Sequence, residues 1–318
     1  MLAMQSFGKP RILIIGCGDI GLRIARQLAP NYRVFALTSS QSRFQELREV
    51  GATPILGNLD HPESLWRLSG LAQTVIHLAP PQNHGNRDCR TRNLIRILSQ
   101  APDAVRRLIY ISTTGVYGDH KGAQVSETTP ISPQSERAQR RVDAERALRL
   151  WAPTHGVVLT ILRVPGIYAA NRLPLERLHS KTPALLPDED AYSNHIQSDD
   201  LARLICAAVY HGKPQRVINT CDGGQTKMGD YFDEVADAFS LDRPPRMPAS
   251  ELQKIVSPML WSFMRESRRV TNTRLPELKT PLRYPSVAHF LQTISKNPSG
   301  QQSDRRQVFL VLNHSDLQ

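Results

Sequence analysis

The chain has 318 residues and a mass of 35.7 kDa, which excludes a peptide hormone or a single small module and fits one large α/β domain, alone or with a smaller lobe. Hydrophobic residues make up 40% and charged residues 22%, so a sizeable core is expected and wholesale disorder is excluded. The net charge of +11 suggests phosphate-bearing partners, but its arginines are dispersed and the sequence has no basic arm or nucleic-acid-reading motif, so no nucleic acid is predicted as a partner.

The first elements of the chain predict a strand, a glycine turn and a helix. Residues 12–15 form a continuous apolar run, as a strand buried on both faces requires. The sequence Gly-Cys-Gly-Asp-Ile-Gly follows at 16–21, and apolar residues then recur at helical spacing as far as Leu28. Residues 34–37 predict a second strand, which completes a βαβ unit whose crossover should be right-handed.

The alternation of strands and helices continues to about residue 162. Further strands are predicted near 53–56 and at 74–79, 108–112 and 157–162. Helices are predicted just after Pro62, from about 86 to 99 and from about 134 to 150. Repeated βα units of this kind predict an α/β fold with a Rossmann-type, doubly wound parallel sheet.

The pattern changes after Arg163, where four prolines interrupt the chain. We predict a cap over residues 165–193 rather than more sheet, with a short helix near 173–178. An amphipathic helix at 199–210 and a short strand at 217–219 then return to the sheet. Residues 228–240 predict another helix, with Thr226 as its possible N-cap.

The predicted domain organisation follows from this division. Residues 1–164, joined by about 194–222, form the nucleotide-binding domain. Residues 165–193 and 223–294 form a smaller, mainly helical C-terminal lobe on the substrate side. Residues 295–318 are predicted to be a flexible tail, because the chain becomes polar there.

Cysteine spacing and hydropathy exclude further classes of protein. The four cysteines have no Cys-x-x-Cys or Cys/His ligand spacing, so neither a disulfide scaffold nor a metal site is predicted. The first eleven residues lack the apolar segment of a secretory signal, and no apolar run approaches the roughly 18 residues of a membrane span. The expectation is a reduced, cytoplasmic setting with no membrane partner.

The glycine turn is the strongest functional motif in the sequence. Gly16 allows a tight turn, Gly18 lets the backbone approach a pyrophosphate, and Gly21 permits close packing of the helix on the strand. Asp19 and Ile20 lie at the helix N-terminus, where free N–H groups and the positive end of the helix dipole favour an anion. The turn therefore predicts a dinucleotide site; the alternative is a structural corner without a ligand.

The residues after the second strand predict which dinucleotide is bound. An NAD-preferring site normally places Asp or Glu there, to accept hydrogen bonds from the ribose 2′-hydroxyl. Residues 37–43 read Leu-Thr-Ser-Ser-Gln-Ser-Arg and hold no carboxylate, whereas Thr38, Ser39 and Arg43 are able to hold a 2′-phosphate. NADP(H) is therefore predicted over NAD(H), which stays possible; the alternative is a simple polar loop.

Several ordered motifs complete the pattern. After the glycine turn come Gly-Asn-Leu-Asp at 57–60, Val-Ile-His-Leu-Ala at 75–79, Ile-Ser-Thr-Thr-Gly-Val-Tyr-Gly at 111–118, Leu-Arg-Val-Pro-Gly-Ile-Tyr at 162–168 and Asn-His-Ile-Gln-Ser-Asp-Asp-Leu-Ala at 194–202. With these motifs the chain resembles, over roughly residues 11–290, the short-chain dehydrogenase/reductase superfamily, in particular its extended or atypical branch of NAD(P)-dependent epimerase/dehydratase-like proteins. The resemblance implies further cofactor-binding residues at Asn58, Leu59, Leu78, Ala79 and Pro165.

The resemblance also implies where catalysis occurs, and there the chain departs from the family. Active members use a Tyr as proton donor or acceptor and a Lys four residues later, and these positions hold Arg137 and Arg141. Arginine cannot act as a general acid near neutral pH, although Arg141 can still bond the nicotinamide ribose. Thr113 fits the family's catalytic Ser/Thr, whose hydroxyl bonds the substrate oxygen; the alternative is a hydroxyl that satisfies local backbone.

Other proton-transferring groups are weaker candidates. The only Tyr-x-x-x-Lys in the sequence, Tyr117 to Lys121, lies in a loop with glycines, and a chance match is the main interpretation. His77 is predicted to be a packed strand residue. The remaining candidates near the C-terminal edge of the sheet are His84, His120, Glu136 and His195.

Two functions follow as hypotheses. The first is an NADP(H)-dependent oxidoreductase or epimerase/dehydratase-like enzyme that acts on a small polar carbonyl or hydroxyl substrate, held between the cofactor and the cap. The second is a cofactor-binding sensor or scaffold without turnover, because Arg137 and Arg141 replace the acid–base pair. The chain is expected to act as a monomer or a homodimer.

Overall fold

The computed structural model describes residues 8–101 and 104–295. Seven parallel strands form its central sheet: β1 Arg11–Ile15, β2 Arg33–Thr38, β3 Ala52–Leu56, β4 Thr74–His77, β5 Arg107–Thr113, β6 Val158–Val164 and β7 Arg216–Asn219. Their spatial order is β7-β6-β5-β4-β1-β2-β3, so the order reverses between β1 and β4. The predicted Rossmann-type α/β fold is confirmed. In such sheets ligands bind outside the carboxyl ends of the strands, at this reversal.

Helices flank the sheet and build much of the remaining chain. The ten helices of the described ranges are α1 Asp19–Leu28, α2 Phe44–Glu49, α3 Cys89–Leu98, α4 Glu136–Thr154, α5 Leu175–His179, α6 Ser198–His211, α7 Met228–Ala238, α8 Ala249–Ile255, α9 Pro258–Met264 and α10 Val287–Ser295. Short 3₁₀ helices lie at Gln41–Arg43, Pro62–Leu68, Thr114–Tyr117, Ala170–Arg172 and Leu275–Leu278. Among the described helices, none has both the length and the apolar composition of a membrane span.

The sheet is buried on both faces because its strands are largely apolar. In β1, Ile12 and Ile14 pack with residues of α1 and α6, whereas Leu13 and Ile15 pack with residues of α3 and α4. Each fully buried aliphatic side chain contributes roughly 1.5–3 kcal/mol through the hydrophobic effect. These two apolar layers fix the carboxyl end of β1 beneath the glycine turn.

Among the differences from the predicted helix boundaries, two have a clear physical reason. Thr226 is not the N-cap of α7, because it pairs with Ser193 in a short antiparallel ladder; Lys227 takes the N-cap position and its side chain makes no capping bond. α4 continues to Thr154, although Pro153 lies within it. A proline in the last helical turn removes only one hydrogen bond, so the helix does not end at residue 150.

The segment after β6, residues 165–193, lies outside the central sheet and is called the cap below. All of these residues are described. Gly166–Tyr168 pairs instead with His195–Gln197, and Ala184–Leu185 pairs with Arg246–Met247. A separate apolar core packs this cap against α7 and α10. The cap therefore lies beside the carboxyl end of β6.

The division into a nucleotide-binding domain and a substrate lobe stays a prediction. A ladder between Gln124–Val125 and Arg269–Val270 connects the loop after β5 with the C-terminal part of the chain. The predicted tail lies outside the described residues, apart from Ser295, the last residue of α10.

Candidate functional site

A cavity of about 520 Å³ lies at the carboxyl ends of the parallel strands. The sequence-predicted residues that line it are Gly16, Gly18, Asp19, Ile20, Gly21, Thr38, Ser39, Arg43, Leu78, Thr113, Arg141 and Pro165. The lining residues that sequence reasoning missed are Cys17, Leu37, Ser40, Pro80, Ile111, Ser112, Val164, Ile167, Arg172 and Leu201. The cavity occupies the place where doubly wound folds bind their ligands.

The backbone of the glycine turn packs closely against neighbouring backbone and leaves space on its cavity side. Gly16 has a φ of +85°, and a Cβ there would lie 2.5 Å from the backbone nitrogen of Ala79. A Cβ on Gly18 would meet no atom within 4 Å. A Cβ on Gly21 would lie 3.0 Å from Cys17 Sγ, in keeping with the close packing of α1 on the turn. Gly16 is therefore needed for structure, whereas Gly18 leaves open space for a ligand.

The N-terminus of α1 is open. Gly18 provides no capping side chain, whereas Asp88, Ser135 and Gln197 accept hydrogen bonds from backbone N–H groups at the starts of α3, α4 and α6. The first N–H groups of a helix lack partners within the helix, and together with the helix dipole they favour an anion. The residues present therefore fit the pyrophosphate of a dinucleotide.

An ion-pair network connects the start of α1 to the cap. Asp19 Oδ1 lies 2.9 Å from Arg23 Nε, and Asp19 Oδ2 lies 3.4 Å from Arg172 Nε. Arg23 also pairs with Asp199 at the start of α6. These contacts neutralise Asp19 and place a second guanidinium, that of Arg172, on the cavity wall. The sequence held no signal for Arg172, because only the folded cap brings it to α1.

The end of β2 offers hydroxyl groups and one guanidinium. Thr38 Oγ1 accepts a hydrogen bond from Ser40 N at 3.2 Å, and the hydroxyls of Ser40 and Ser42 bond each other at 2.7 Å. Arg43 donates from Nε and Nη2 to Glu46 Oε2, at 2.9 and 2.7 Å. Glu46 is the first carboxylate after β2. A 2′-phosphate at this edge would share Arg43 with Glu46.

Arg141 and Thr113 form the opposite side of the cavity. Arg141 Nη1 lies 2.9 Å from the carbonyl oxygen of Ile111 and 3.1 Å from the hydroxyl of Tyr110, so its guanidinium is held against the end of β5. Thr113 Oγ1 accepts a hydrogen bond from Gly115 N at 3.2 Å. Because a hydroxyl also carries one donor, the Thr113 proton is free to bond a substrate oxygen.

Arg137 does not line the cavity. It lies one helical turn before Arg141 on α4, and its guanidinium carbon is 4.0 Å from the ring centroid of Phe263 in α9. Burial lowers the pKa of Arg137, and Glu266 opposes this effect. Arg137 is therefore beside the cavity and packed against α9.

Three other predicted cofactor positions are also absent from the described cavity lining. Ala79 lies directly against Gly16, so close that its backbone leaves no room for a Cβ on that glycine. Asn58 Oδ1 accepts a hydrogen bond from Asp60 N at 3.0 Å, and Leu59 is buried in the core on the α3 side of the sheet. These residues support the turns around the cavity.

The remaining proton-transfer candidates lie away from the described cavity lining as well. Tyr117 is fully buried, and its hydroxyl donates to Asn219 Oδ1 at 2.8 Å. His77 is a packed strand residue, as predicted, and burial lowers its pKa to about 3. Burial also lowers the pKa of His195, to about 4. Of the others, His84, Glu136 and Lys121 are exposed and His120 is half-buried.

A buried ion pair stabilises the wall behind Ser112. Glu145 Oε2 lies 2.7 Å from Arg163 Nη2, and Glu145 Oε1 accepts a hydrogen bond from Ser112 Oγ at 2.6 Å. The side chains of Glu145 and Arg163 are only 3% and 6% exposed. The pair connects α4 with β5 and β6, immediately below the substrate side of the cavity.

A family model described as the NAD dependent epimerase/dehydratase family matches residues 12–221. Protein YeeZ of Escherichia coli (strain K12) is 24% identical over 242 residues, which cover 74% of this chain and 85% of that protein. A conserved protein of unknown function from Silicibacter pomeroyi has a TM-score of 0.77 at 26% identity, over 91% of this chain and 99% of that one.

Several solved neighbours were determined in complex with NAD. The UDP-glucuronic acid 4-epimerase of Bacillus cereus, solved in complex with NAD, has a TM-score of 0.70 over 90% of this chain and 96% of that one. Its identity is 18%, so this likeness shows the fold alone.

The family match covers all the parts that build the site. It begins in β1 and ends two residues after β7, so it includes the glycine turn, the ends of β2 and β5, and α4. The resemblance stated from the sequence motifs is confirmed. Because the match spans more than half of the chain, the protein belongs to the NAD dependent epimerase/dehydratase family.

Proposed function

We propose that the protein is an NADP(H)-dependent oxidoreductase or epimerase/dehydratase-like enzyme that acts on a small polar carbonyl or hydroxyl substrate. The observation that carries this proposal is the cavity, which joins an open helix N-terminus, the polar residues after β2, and the pair Thr113 and Arg141. A dinucleotide at the carboxyl edge of the sheet would extend from Arg43 toward Thr113.

The residues of the chain would position the cofactor and polarise the substrate oxygen. The nicotinamide supplies the hydride chemistry when it is bound. Thr113 donates a hydrogen bond from its hydroxyl to the substrate oxygen, because that hydroxyl accepts from Gly115 N and its own hydrogen has no acceptor among the described residues. Arg141 adds a fixed positive charge that stabilises negative charge developing on the same oxygen.

The preference for NADP(H) is part of the proposal. Thr38, Ser39 and Arg43 line the cavity. Ser39 and Arg43 supply hydrogen-bond donors for a 2′-phosphate, and the Thr38 hydroxyl, which donates to the carbonyl oxygen of Ser40 at 3.2 Å, would exchange that bond for one to the phosphate. No carboxylate directly follows β2 to accept bonds from a ribose 2′-hydroxyl, which would favour NAD(H). NAD(H) stays the alternative cofactor, because Glu46 neutralises Arg43.

A non-catalytic NADP(H)-binding sensor or scaffold is the second candidate. Among the described residues that line the cavity there is no Tyr, Lys, His or Glu. Cys17 lines it, but burial raises the pKa of this thiol to about 11, so it is a poor proton donor near neutral pH. A cavity with so few proton-transferring groups would be able to hold a cofactor without turnover.

Calorimetric titration of NADPH and NADH is the first test. We expect NADPH to bind more tightly; tighter binding of NADH would contradict the preference. Failure of both cofactors to bind would overturn the enzyme and the sensor together.

A substrate screen then separates the two candidates. Small aldehydes, ketones and hydroxy compounds are offered with NADPH or NADP⁺, and the absorbance of NADPH is followed. Turnover that is lost in Thr113→Ala and kept in Thr128→Ala, an exposed threonine outside the cavity lining, supports the enzyme. Tight cofactor binding without turnover of any compound supports the sensor.

A further inference from the structure

Three guanidinium groups lie near enough to influence one another electrostatically, beside the Thr113 and Arg141 side of the cavity. Arg137 and Arg140 lie in the first turns of α4, and Arg268 lies in the segment that follows α9; these three residues are called the arginine cluster below. Arg141, which lines the cavity, follows Arg137 by one helical turn, about 5 Å along the helix axis. The arginine cluster therefore adjoins the place proposed for the reacting oxygen.

Arg137 is half-buried and has no acidic partner. Its guanidinium stacks on Phe263 at 4.0 Å, and within residues 8–101 and 104–295 no carboxylate forms an ion pair with it and no group accepts a hydrogen bond from it. Stacking on an aromatic face leaves the N–H groups at the edge of the guanidinium plane available. That edge matches the two oxygens of a carboxylate or phosphate.

Arg140 and Arg268, the other two members of the cluster, also have N–H donors without an acceptor among the described residues. Arg140 bonds the carbonyl oxygen of Gly85 and Arg268 bonds that of Gly118, but the buried Nε of each arginine has no acceptor in the described part of the chain. Buried donors without acceptors are unfavourable by about 1–3 kcal/mol each. Because these Nε atoms are buried, Arg140 and Arg268 add positive charge beside Arg137 without contacting a ligand directly.

The charge of this region is also unbalanced. Glu266 pairs with Arg268 at 2.8 Å, and Glu136 lies 3.5 Å from Arg140 but is 73% exposed. Burial lowers the pKa of Arg137; Glu266 opposes the effect, while the neighbouring guanidinium groups reinforce it. The protein thus holds more positive charge here than its own acids compensate.

We propose that the arginine cluster is a subsite for an oxyanion, a carboxylate or a phosphate, carried by the substrate. This rests on the proposed function, because it assigns the class of compound on which that function acts. The substrate is then a small carbonyl or hydroxyl compound whose reacting oxygen lies at Thr113 and whose acidic group reaches Arg137. The in-plane edge of Arg137 makes the main contact, and Arg140 and Arg268 add long-range attraction.

Anion binding to the cofactor-loaded protein tests the subsite. The probes are malonate, its neutral analogue malonamide and inorganic phosphate. Each is titrated by calorimetry at constant ionic strength into the protein with saturating NADPH and, separately, without cofactor. We expect at least one of the two anions to bind, and malonamide not to bind. A preference between malonate and phosphate tells which oxyanion the substrate carries.

Variants of α4 locate the binding. Arg137→Gln should weaken anion binding by about tenfold or more, because one charge-assisted bidentate contact is lost. Arg146→Gln, an exposed arginine on the same helix, should leave the anion affinity unchanged. The melting temperature and the NADPH affinity of Arg137→Gln show whether this variant folds. If it does not fold, Arg137→Lys takes its place. Arg137→Lys should lose less anion affinity, because it keeps the positive charge and loses only the two-pronged geometry of the guanidinium.

Three results would overturn the subsite: neither anion binds the wild-type protein, malonamide binds as well as malonate, or the folded Arg137 variant binds the anion as the wild type does. The proposed function fails separately. A protein that binds malonate through Arg137 but binds neither NADPH nor NADH would retain the subsite and lose the cofactor role.

Discussion

The two halves of the cavity are built in different ways. The cofactor half, from the glycine turn to Arg43, presents mainly backbone, hydroxyl groups and an open helix end. The substrate half presents the hydroxyl group of Thr113 and the guanidinium group of Arg141, whereas Arg137 lies outside the cavity lining. Backbone can be shaped by glycine spacing alone, whereas substrate chemistry depends on individual side chains. The first half therefore rests on backbone geometry, and the second half rests on individual side chains.

The largest expected effect comes from a substitution in the glycine turn, which should disrupt the cofactor half of the cavity. Gly16→Val places a branched Cβ against the backbone of Ala79, in a left-handed conformation that β-branched residues avoid. We expect a loss of about 3 kcal/mol or more in the free energy of unfolding, from strain and overpacking together, and no measurable NADPH binding. Chemical denaturation and calorimetry measure the two effects.

Gly18→Ala is the matched control for this variant. A Cβ at Gly18 meets no protein atom within 4 Å, so the free energy of unfolding should change little. NADPH affinity should nevertheless fall, because the new methyl group lies where the pyrophosphate approaches. Unchanged NADPH affinity in Gly18→Ala would mean that the turn is a structural corner without a ligand.

The next largest effect is a loss of stability, and it concerns the buried ion pair between Glu145 and Arg163 beneath the substrate half. Glu145→Gln leaves the buried guanidinium of Arg163 without its counter-charge. Removing one partner of a buried ion pair destabilises a protein by about 3–5 kcal/mol, so the denaturation midpoint should fall strongly. Asp237→Asn removes an acid of the exposed pair with Arg243 and should shift the midpoint very little. Equal shifts in the two variants would contradict a stabilising role for the buried pair.

The same contrast explains what the sequence could predict. All seven strands were predicted to within two residues, because a strand buried on both faces needs an unbroken apolar run. The glycine turn was also predictable from the sequence, because the spacing of its glycines determines the backbone geometry. Arg172 at α1 and Phe263 over Arg137 were not predicted, because the packing of the cap and of α9 brings them there. Thr226 failed as an N-cap because strand pairing at that position competes with capping.

Removal of Arg172 should have a smaller effect, confined to the cofactor half. Arg172→Ala takes away a cavity-lining cation and leaves Asp19 with only Arg23 as its partner near the pyrophosphate position. We expect NADPH and NADH affinities to fall together by about fivefold to tenfold, because both cofactors carry the pyrophosphate. Lys181→Ala, in an exposed ion pair of the same cap, is the control and should change neither affinity. A selective loss for one cofactor would place Arg172 elsewhere on the dinucleotide.

The smallest expected effect is a change in affinity that differs between NADPH and NADH. Arg43→Ala removes the guanidinium proposed for the 2′-phosphate, so NADPH affinity should fall by about fivefold while NADH affinity stays nearly constant. Glu46→Gln is the opposite variant: it releases Arg43 from the carboxylate that holds it at 2.7 Å and should raise NADPH affinity by about twofold to fivefold. Calorimetry with both cofactors on both variants measures the four changes. Parallel shifts for NADPH and NADH would show that Arg43 does not read the ribose phosphate, and the preference would then have to come from Thr38 and Ser39.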